Sequence, residues 1–251
     1  SDVVGGDKGE WAPWRAEHEA VTERRRQRCA IAADLAGLEI AGRGLVSRDR
    51  RTCVTSTALG WQDIPIGKEL AERTNLPTWV ENDANALILG EELFGPLRGS
   101  PDFSMLFVSH GIGCAHIVNG SLLRGHTGGA GEISHAPVML EAAGALPCRC
   151  GNRGCLETVG SLLAITNAAL NCGLPTSISE LASLAANGNQ QALDILHRAG
   201  SAVGLATAQL VQMLDPSHVV IMLHPALHHG VFGHALRHET ETHILHRANG
   251  R

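Results

Sequence analysis

The segment PCRCGNRGCLE, residues 147–157, places three cysteines within eight positions of the chain. Cys148, Cys150 and Cys155 form a C-x-C-G-x-x-G-C pattern, whose glycines let the backbone turn tightly enough for three thiolates to converge. Structural zinc takes four soft or borderline ligands in a tetrahedron. A fourth such ligand, His135, stands thirteen residues before Cys148. The spacing favours a closed Cys3His site that stabilises the fold over a disulfide or packed free thiols.

Composition indicates a globular protein. The chain has 251 residues, of which 44% are hydrophobic, enough for one large domain or two ordinary ones. A net charge of -5 gives no overall electrostatic reason to bind nucleic acid. The sequence has no apolar run of about 20 residues, and its N-terminus lacks the apolar centre of a secretory signal. We therefore expect a cytoplasmic protein with no membrane partner.

Strand and helix patterns alternate along the chain. Patterns typical of strands occur at residues 29–40, 77–83, 103–113 and 217–223. Patterns typical of helices occur at residues 14–29, 64–75, 84–95 and 157–213. A hairpin is expected to turn at Asn119 and Gly120, a favoured turn pair. This alternation indicates an α/β architecture.

Four segments together carry a family resemblance. GGAGEISH at residues 128–135, followed by CRCGNRGCLETVGS at 148–161, resembles the signature of the ROK family (repressors, open reading frames and sugar kinases). VENDANALILGEELFG at 80–95 and GIGCAHIVNGSLLRG at 111–125 stand in the order of that family, and the resemblance covers residues 30–223. It implies an α/β, actin-like ATPase (ribonuclease H-like) fold with two lobes. It also implies a structural zinc ion held by His135, Cys148, Cys150 and Cys155.

The turn-rich segment 95–102 is the expected boundary between the lobes. A partial N-terminal lobe, residues 1–97, would carry the Asn-Asp sugar motif. A C-terminal lobe, residues 98–251, would carry the zinc-binding loop and a helical tail. We expect the first lobe to be truncated, since the strands that open it in the family have no match here.

The resemblance also implies a sugar site. Asp83 matches the residue that, in the family's kinases, acts as general base on the attacking sugar hydroxyl. Judged from the residues alone, a helix-capping role for Asp83 is the better interpretation. With the resemblance, Asn82 joins Asp83 as a sugar contact, and Glu132 and Glu157 match the family's other hydroxyl acceptors. His135 is implied both to ligate zinc and to face the sugar.

Three nucleotide-binding elements of the family's kinases are altered or missing. The D-x-G-G-T phosphate strand has no match, because VVGGDKG at 3–9 lacks the Asp and the Thr. The G-T-G-I-G-x-G loop reads SHGIGCA at 109–115, in which Gly111 and Gly113 remain as predicted cofactor-binding positions. MLHPAL at 222–227 replaces a pair of glycines. The histidine in the second element resembles the family's sugar-responsive repressors.

We therefore expect the sugar-sensing part of a transcriptional regulator, in which a sugar shifts the population between two lobe arrangements. DNA would be contacted only through an upstream domain absent from this chain, and a homodimer is expected. The alternative is a glucokinase-like, ATP-dependent hexose or N-acetylhexosamine kinase, with Asp83 as base and Mg2+ on the phosphates. A third interpretation is a zinc-stabilised remnant without sugar function.

Overall fold

The computed structural model describes residues 36–139 and 144–245. The strands of this part are Leu38–Gly42 (β1), Leu45–Val46 (β2), Cys53–Ser56 (β3), Trp61–Ile64 (β4), Thr78–Asn82 (β5), Phe103–Val108 (β6), Ile112–Val118 (β7), Ser121–Leu122 (β8) and His218–Met222 (β9). Its α-helices are Ile66–Thr74 (α1), Asp83–Phe94 (α2), Glu157–Gly160 (α3), Leu162–Asn171 (α4), Ile178–Ala186 (α5), Gln190–Leu214 (α6) and Val231–His243 (α7). Short 3-10 turns occupy Ile133–His135 and Pro225–Leu227.

The strands form three sheets. β1 pairs in parallel with β5, and β2, β3 and β4 form an antiparallel sheet. The third sheet has the order β8-β7-β6-β9, in which β6 and β9 are parallel and the other pairs antiparallel. Parallel pairs joined by helices, beside antiparallel hairpins, confirm the α/β expectation.

Helix α2 joins the first and third sheets. It begins directly where β5 ends, and it packs its buried Ala84 and Ile88 against Phe103 and Met105 of β6. The first turn of α2 is therefore held from two sides. This placement matters because the predicted sugar residues lie at that end of the helix.

The helical second half forms one layer against β6 and β7. Its apolar side chains share a single core in which Leu106, Leu156, Ile165, Val203 and Phe232 are almost fully buried. Helix α6 is the long central element, and α7 packs along it. Leu156, which directly precedes α3, belongs to this core and anchors the start of the helix in it.

Several sequence expectations on these elements are confirmed, and two differ. Asn119 and Gly120 turn the β7–β8 hairpin with φ of 50° and 67°, the positive values that this turn type requires. The predicted strand over 103–113 is instead two strands, β6 and β7, which reverse at residues 109–111. The sheet of β2, β3 and β4 was not predicted.

The predicted helix over 14–29 and most of the strand over 29–40 lie outside the described residues. The lobe boundary at 97/98 stays a prediction.

Candidate functional site

A cavity of about 630 Å³ opens where the three sheets and the cysteine segment meet. Its walls include all five residues predicted to bind sugar, the two predicted cofactor glycines and two of the predicted metal ligands. These lining residues are Asn82, Asp83, Glu132, His135, Glu157, Gly111, Gly113 and Cys150. Residues separated by 75 positions along the chain are thus brought to one surface, and their role in binding sugar stays a prediction.

The β5–α2 junction supplies Asn82 and Asp83. Asn82 is the N-cap of α2, since its side-chain oxygen accepts hydrogen bonds from the backbone N–H groups of Ala84 and Asn85. The interpretation that Asp83 caps the helix is therefore wrong: the cap is Asn82, and Asp83 is the first residue of the helix. Its carboxylate accepts only the adjacent N–H of Ala84, at 3.0 Å, among the described residues. The helix N-terminus favours a negative charge there.

Asn82 also fixes the turn between β1 and β2. Its side-chain amide donates to the carbonyl oxygen of Gly44 at 3.0 Å. Gly44 has a φ of 122°, and a β-carbon there would lie 2.3 Å from the carbonyl oxygen of Thr55. Only glycine fits this position. The turn thereby presents Arg43 to the cavity.

Arg43 lies across the cavity from the start of α3. Its Nη2 atom is 3.7 Å from Oε2 of Glu157, whose side chain is 14% exposed. The guanidinium covers Gly111, where a β-carbon would lie 1.6 Å from Arg43 Nη2 and 2.8 Å from Glu157 Oε2. At Gly113 the neighbour is Ala84 instead, because a β-carbon added to Gly113 would lie 3.0 Å from the β-carbon of Ala84. Both glycines thus serve close packing, and their cofactor role stays a prediction.

The loop over residues 128–135 supplies Glu132 and His135. Glu132 Oε2 lies 4.0 Å from His135 Nε2. Burial raises the pKa of Glu132; the nearby His135 opposes that change, and the negative charges of Asp83 and Glu157 add to it. The cavity thus combines three carboxylates with one guanidinium, an arrangement that can accept several hydroxyl hydrogens.

Four predicted metal ligands come together beside this loop. The donor atoms of His135, Cys148, Cys150 and Cys155 all lie within 4.8 Å of one another. His135 Nδ1 is 3.6 Å from Cys148 Sγ, and Cys150 Sγ is 3.7 Å from Cys155 Sγ. The cysteines of the described part of the chain are all free, so the disulfide alternative is wrong. The group is a His/Cys cluster that can hold one metal ion.

Sequence reasoning missed Arg43 and Ser56, which both line the cavity. Arg43 follows β1, whose last residue Gly42 stands opposite Asn82 of β5 in the parallel register. The carboxyl ends of parallel strands meet at one edge of a sheet. A predicted pairing of β1 with β5 would therefore have placed Arg43 beside Asn82 and Asp83. Ser56 ends β3, a strand too short to be recognised from its pattern.

Comparisons with known proteins agree with this geometry. A model of the ROK family matches residues 18–250. The chain belongs to the ROK family. It is 33% identical over 204 residues to the glucokinase of Halalkalibacterium halodurans, covering 75% of this chain and 61% of that protein. It is 29% identical over 187 residues to the xylose repressor of Bacillus subtilis, covering 74% of this chain and 48% of that protein.

A solved structure extends the likeness to the fold. A ROK family transcriptional regulator, described as a homologue of the Escherichia coli Mlc protein, matches with a TM-score of 0.75 and 26% identity. The match covers 93% of this chain and 60% of that one. The expected actin-like ATPase fold is therefore confirmed. The chain spans 48% to 61% of the length of the two curated relatives named above.

These ROK relatives include a glucokinase, a xylose repressor and a transcriptional regulator, so both kinases and repressors of the family are represented. Within residues 36–139 and 144–245, no helix combines the length and apolar character that a bilayer span requires.

Proposed function

We propose that this ROK chain binds a sugar in the 630 Å³ cavity and serves as the sensing part of a transcriptional regulator. One observation carries the proposal: Asp83, Glu132 and Glu157 surround the cavity, whereas Arg43 covers Gly111 of the glycine loop. Carboxylates satisfy the hydroxyl groups that a bound sugar buries. The carboxylates can therefore bind sugar hydroxyl groups, whereas the Arg43 side chain occupies the space beside the glycine loop that a nucleotide phosphate would need.

The segment after β9 supports the same assignment. In place of paired glycines, His224 caps a 3-10 turn that begins at Pro225, and its ring nitrogen accepts from the N–H of Ala226 at 3.2 Å. Proline has a fixed φ and no N–H group to offer a ligand. The backbone at this position is therefore less open to an adenosine than two glycines would be. The segment VVGGDKG lies outside the described residues.

The His/Cys cluster, in this proposal, holds a structural zinc ion. A tetrahedron with Zn–S bonds of about 2.3 Å has S···S edges of about 3.8 Å. The 3.7 Å between the sulfurs of Cys150 and Cys155 fits that edge. The 3.6 Å between Cys148 Sγ and His135 Nδ1 fits the S···N edge of about 3.5 Å that follows from a Zn–N bond of about 2.0 Å. All four positions are filled by the protein, so the ion stabilises the loop of Glu132 and takes no part in chemistry.

The kinase alternative has its own support. Asp83 Oδ1 accepts only a neighbouring backbone N–H among the described residues, which leaves the carboxylate able to receive a hydroxyl proton. The glucokinase of Halalkalibacterium halodurans, at 33% identity, also favours this function. A kinase would require Mg2+ and ATP beside Gly111 and Gly113, and hence displacement of Arg43.

Isothermal titration calorimetry separates these functions. The full chain is titrated with D-glucose, D-xylose, N-acetyl-D-glucosamine and N-acetyl-D-mannosamine, each with and without Mg-ATP. The sensor proposal expects one sugar to bind with an affinity that Mg-ATP changes by less than about twofold. Formation of a sugar phosphate, abolished by Asp83→Asn, would instead establish the kinase. Absence of binding to every sugar would support the remnant.

Two further parts of the proposal concern partners. DNA is contacted through a segment outside residues 1–251, since this chain carries a net charge of -5. The regulator acts as a homodimer, which sedimentation equilibrium of the chain tests directly. A monomer at concentrations of about 100 μM would contradict the dimer without affecting the sugar proposal.

A further inference from the structure

Arg43 is the only arginine or lysine among the described residues that line the cavity. Its guanidinium has one ionic partner in the described part of the chain, Glu157 at 3.7 Å, and that distance is longer than a hydrogen bond. A guanidinium has five N–H donors in a planar fork. Most of these donors are therefore available to a ligand that enters beside Glu157.

Ser56 provides a second, independent sign of a ligand at this wall. The residue is 2% exposed, it lines the cavity, and its hydroxyl has no hydrogen-bond partner among the described residues. A buried hydroxyl without a partner is costly. Ser56 also lies next to the Arg43 turn, since a β-carbon at Gly44 would lie 2.8 Å from the Ser56 β-carbon. Two groups able to donate hydrogen bonds thus flank one wall.

The charges of the cavity define the class of ligand. Asp83, Glu132 and Glu157 bring three carboxylates, against the single guanidinium of Arg43. A ligand with its own negative charge would meet net repulsion in this partly enclosed space. A neutral sugar meets none, and it can give its hydroxyl hydrogens to the carboxylates while offering an oxygen to Arg43.

We propose that Arg43 is a specificity-determining residue, which selects a neutral sugar by donating to one oxygen of that sugar at the wall formed by the β1–β2 turn and Ser56. This inference rests on the proposed sugar binding and adds to it the chemistry that chooses the sugar. The turn is rigid, because Asn82 holds the Gly44 carbonyl and Gly44 admits no side chain. The backbone from which the Arg43 side chain reaches the cavity is thus held in place.

Calorimetry on the full chain tests this role of Arg43 by combining a substitution at residue 43 with the removal of single hydroxyl groups from the sugar. Wild type and Arg43→Met are titrated with whichever of the four sugars named under Proposed function binds the wild type most tightly, and then with each deoxy analogue of that sugar. We expect Arg43→Met to lose about 10- to 100-fold in affinity for the parent sugar. We expect the loss to disappear for a single analogue, the one that lacks the oxygen Arg43 reaches.

A purely structural role for Arg43 would lower the affinity for all analogues equally, and that result would overturn the inference. Arg98→Met, at an exposed arginine in the turn before β6, is the matched control and should bind as wild type does. Arg43→Gln serves as a second variant should Arg43→Met fail to fold.

Tighter binding of D-glucuronate than of D-glucose would overturn the inference that the ligand is a neutral sugar. No sugar binding by wild type would overturn the proposed function itself, and the inference with it.

Discussion

Glu132 Oε2 lies 4.0 Å from Nε2 of His135, while the opposite ring nitrogen of that histidine faces Cys148 at 3.6 Å. One imidazole therefore belongs to both the His/Cys cluster and the cavity. A carboxylate behind a metal-bound histidine fixes the orientation of the ring and strengthens its binding to the metal. The 3-10 turn Ile133–His135 separates the two residues by only three positions. A change in the position of the His135 ring would therefore alter both the His/Cys cluster and the cavity.

Replacement of Cys150 by serine should lower metal content and stability together. The sulfur of Cys150 is one of four donors, and a serine hydroxyl is a poor zinc ligand. We expect bound zinc to fall well below one per chain and the melting temperature to fall by roughly 5–10 °C. Inductively coupled plasma mass spectrometry and thermal denaturation measure the two effects.

Cys172→Ser is the control for this experiment. Cys172 is free and exposed at the C-terminal end of α4, outside the cluster. Its replacement should leave both zinc content and melting temperature as in the wild type. A zinc stoichiometry unchanged in Cys150→Ser would rule out the Cys3His assignment.

Asp83→Asn should weaken sugar binding without unfolding α2. The substitution removes one charged acceptor from the cavity, and hydrogen bonds to charged groups contribute about 1.5–3 kcal/mol. Asn82, which remains, provides the helix cap. We expect a loss of at least about tenfold in sugar affinity by calorimetry, with a free energy of unfolding within about 1 kcal/mol of wild type.

The exposed Asp63, which has a φ of 49° that asparagine also tolerates, provides the matched change. Asp63→Asn should leave sugar affinity unchanged. Equal affinity in Asp83→Asn and wild type would remove Asp83 from the sugar site.

The motifs predicted which residues meet at the cavity better than they predicted the framework that supports it. The cysteine spacing and the GGAGEISH segment predicted the members of the His/Cys cluster because those residues are close in sequence and carry distinctive donors. The β2–β3–β4 sheet escaped prediction because its strands have two to four residues, too few to show alternation. A strand is recognisable from sequence only when its pattern repeats.

Arg43 was missed for a different reason. It stands 40 positions before Asp83, and only the parallel pairing of β1 with β5 brings the two strand ends together. The sequence between them gives no period that fixes this register. Likewise, the choice of Asn82 over Asp83 as the cap depends on the backbone of the junction, where Asn82 is extended with φ of -66° and ψ of 142°.

Glu81→Gln should destabilise the fold, because Glu81 is the most buried carboxylate among the described residues. Its side chain is 2% exposed and accepts from Arg124 at 2.7 Å and Asn85 at 3.0 Å. Burial alone would raise the pKa of Glu81, but the bonds from Asn85 and Arg124 and the charge of Arg124 lower it overall. Stability from this charge is therefore present at pH 7 and is lost as the pH falls through the lowered pKa.

Arg50 Nε also lies 3.4 Å from Oε2 of Glu81. Neutralising Glu81 leaves Arg50 and Arg124 facing an amide, so we expect a loss of about 2 kcal/mol in the free energy of unfolding. Urea denaturation at pH 7 measures it. Glu72→Gln removes one partner of an exposed pair, with Lys68 at 4.0 Å, and should cost less than about 0.5 kcal/mol. Similar losses in both variants would contradict the special role of the buried carboxylate.

His116 should make the stability of the fold depend on pH between about 4 and 6.5. The residue is 6% exposed in β7, and its Nδ1 lies 2.9 Å from the hydroxyl of Ser104 on β6. Burial lowers the pKa of His116 from 6.5 to about 4. As the pH falls from 7 to 5, the unfolded chain takes up a proton at this histidine and the folded chain does not. The free energy of unfolding should therefore fall by about 2 kcal/mol from this residue alone.

His116→Asn isolates that contribution, because asparagine can still offer a polar atom to Ser104 but does not titrate. The variant should be less stable than wild type at pH 7, yet lose about 2 kcal/mol less when urea denaturation is repeated at pH 5. Loss of a bound metal at pH 5 would act on both proteins and cancel in the difference. His238→Asn, at an exposed histidine of α7, should retain the full pH dependence of the wild type. Parallel stability profiles for wild type and His116→Asn would show that His116 is protonated equally in the folded and unfolded chains.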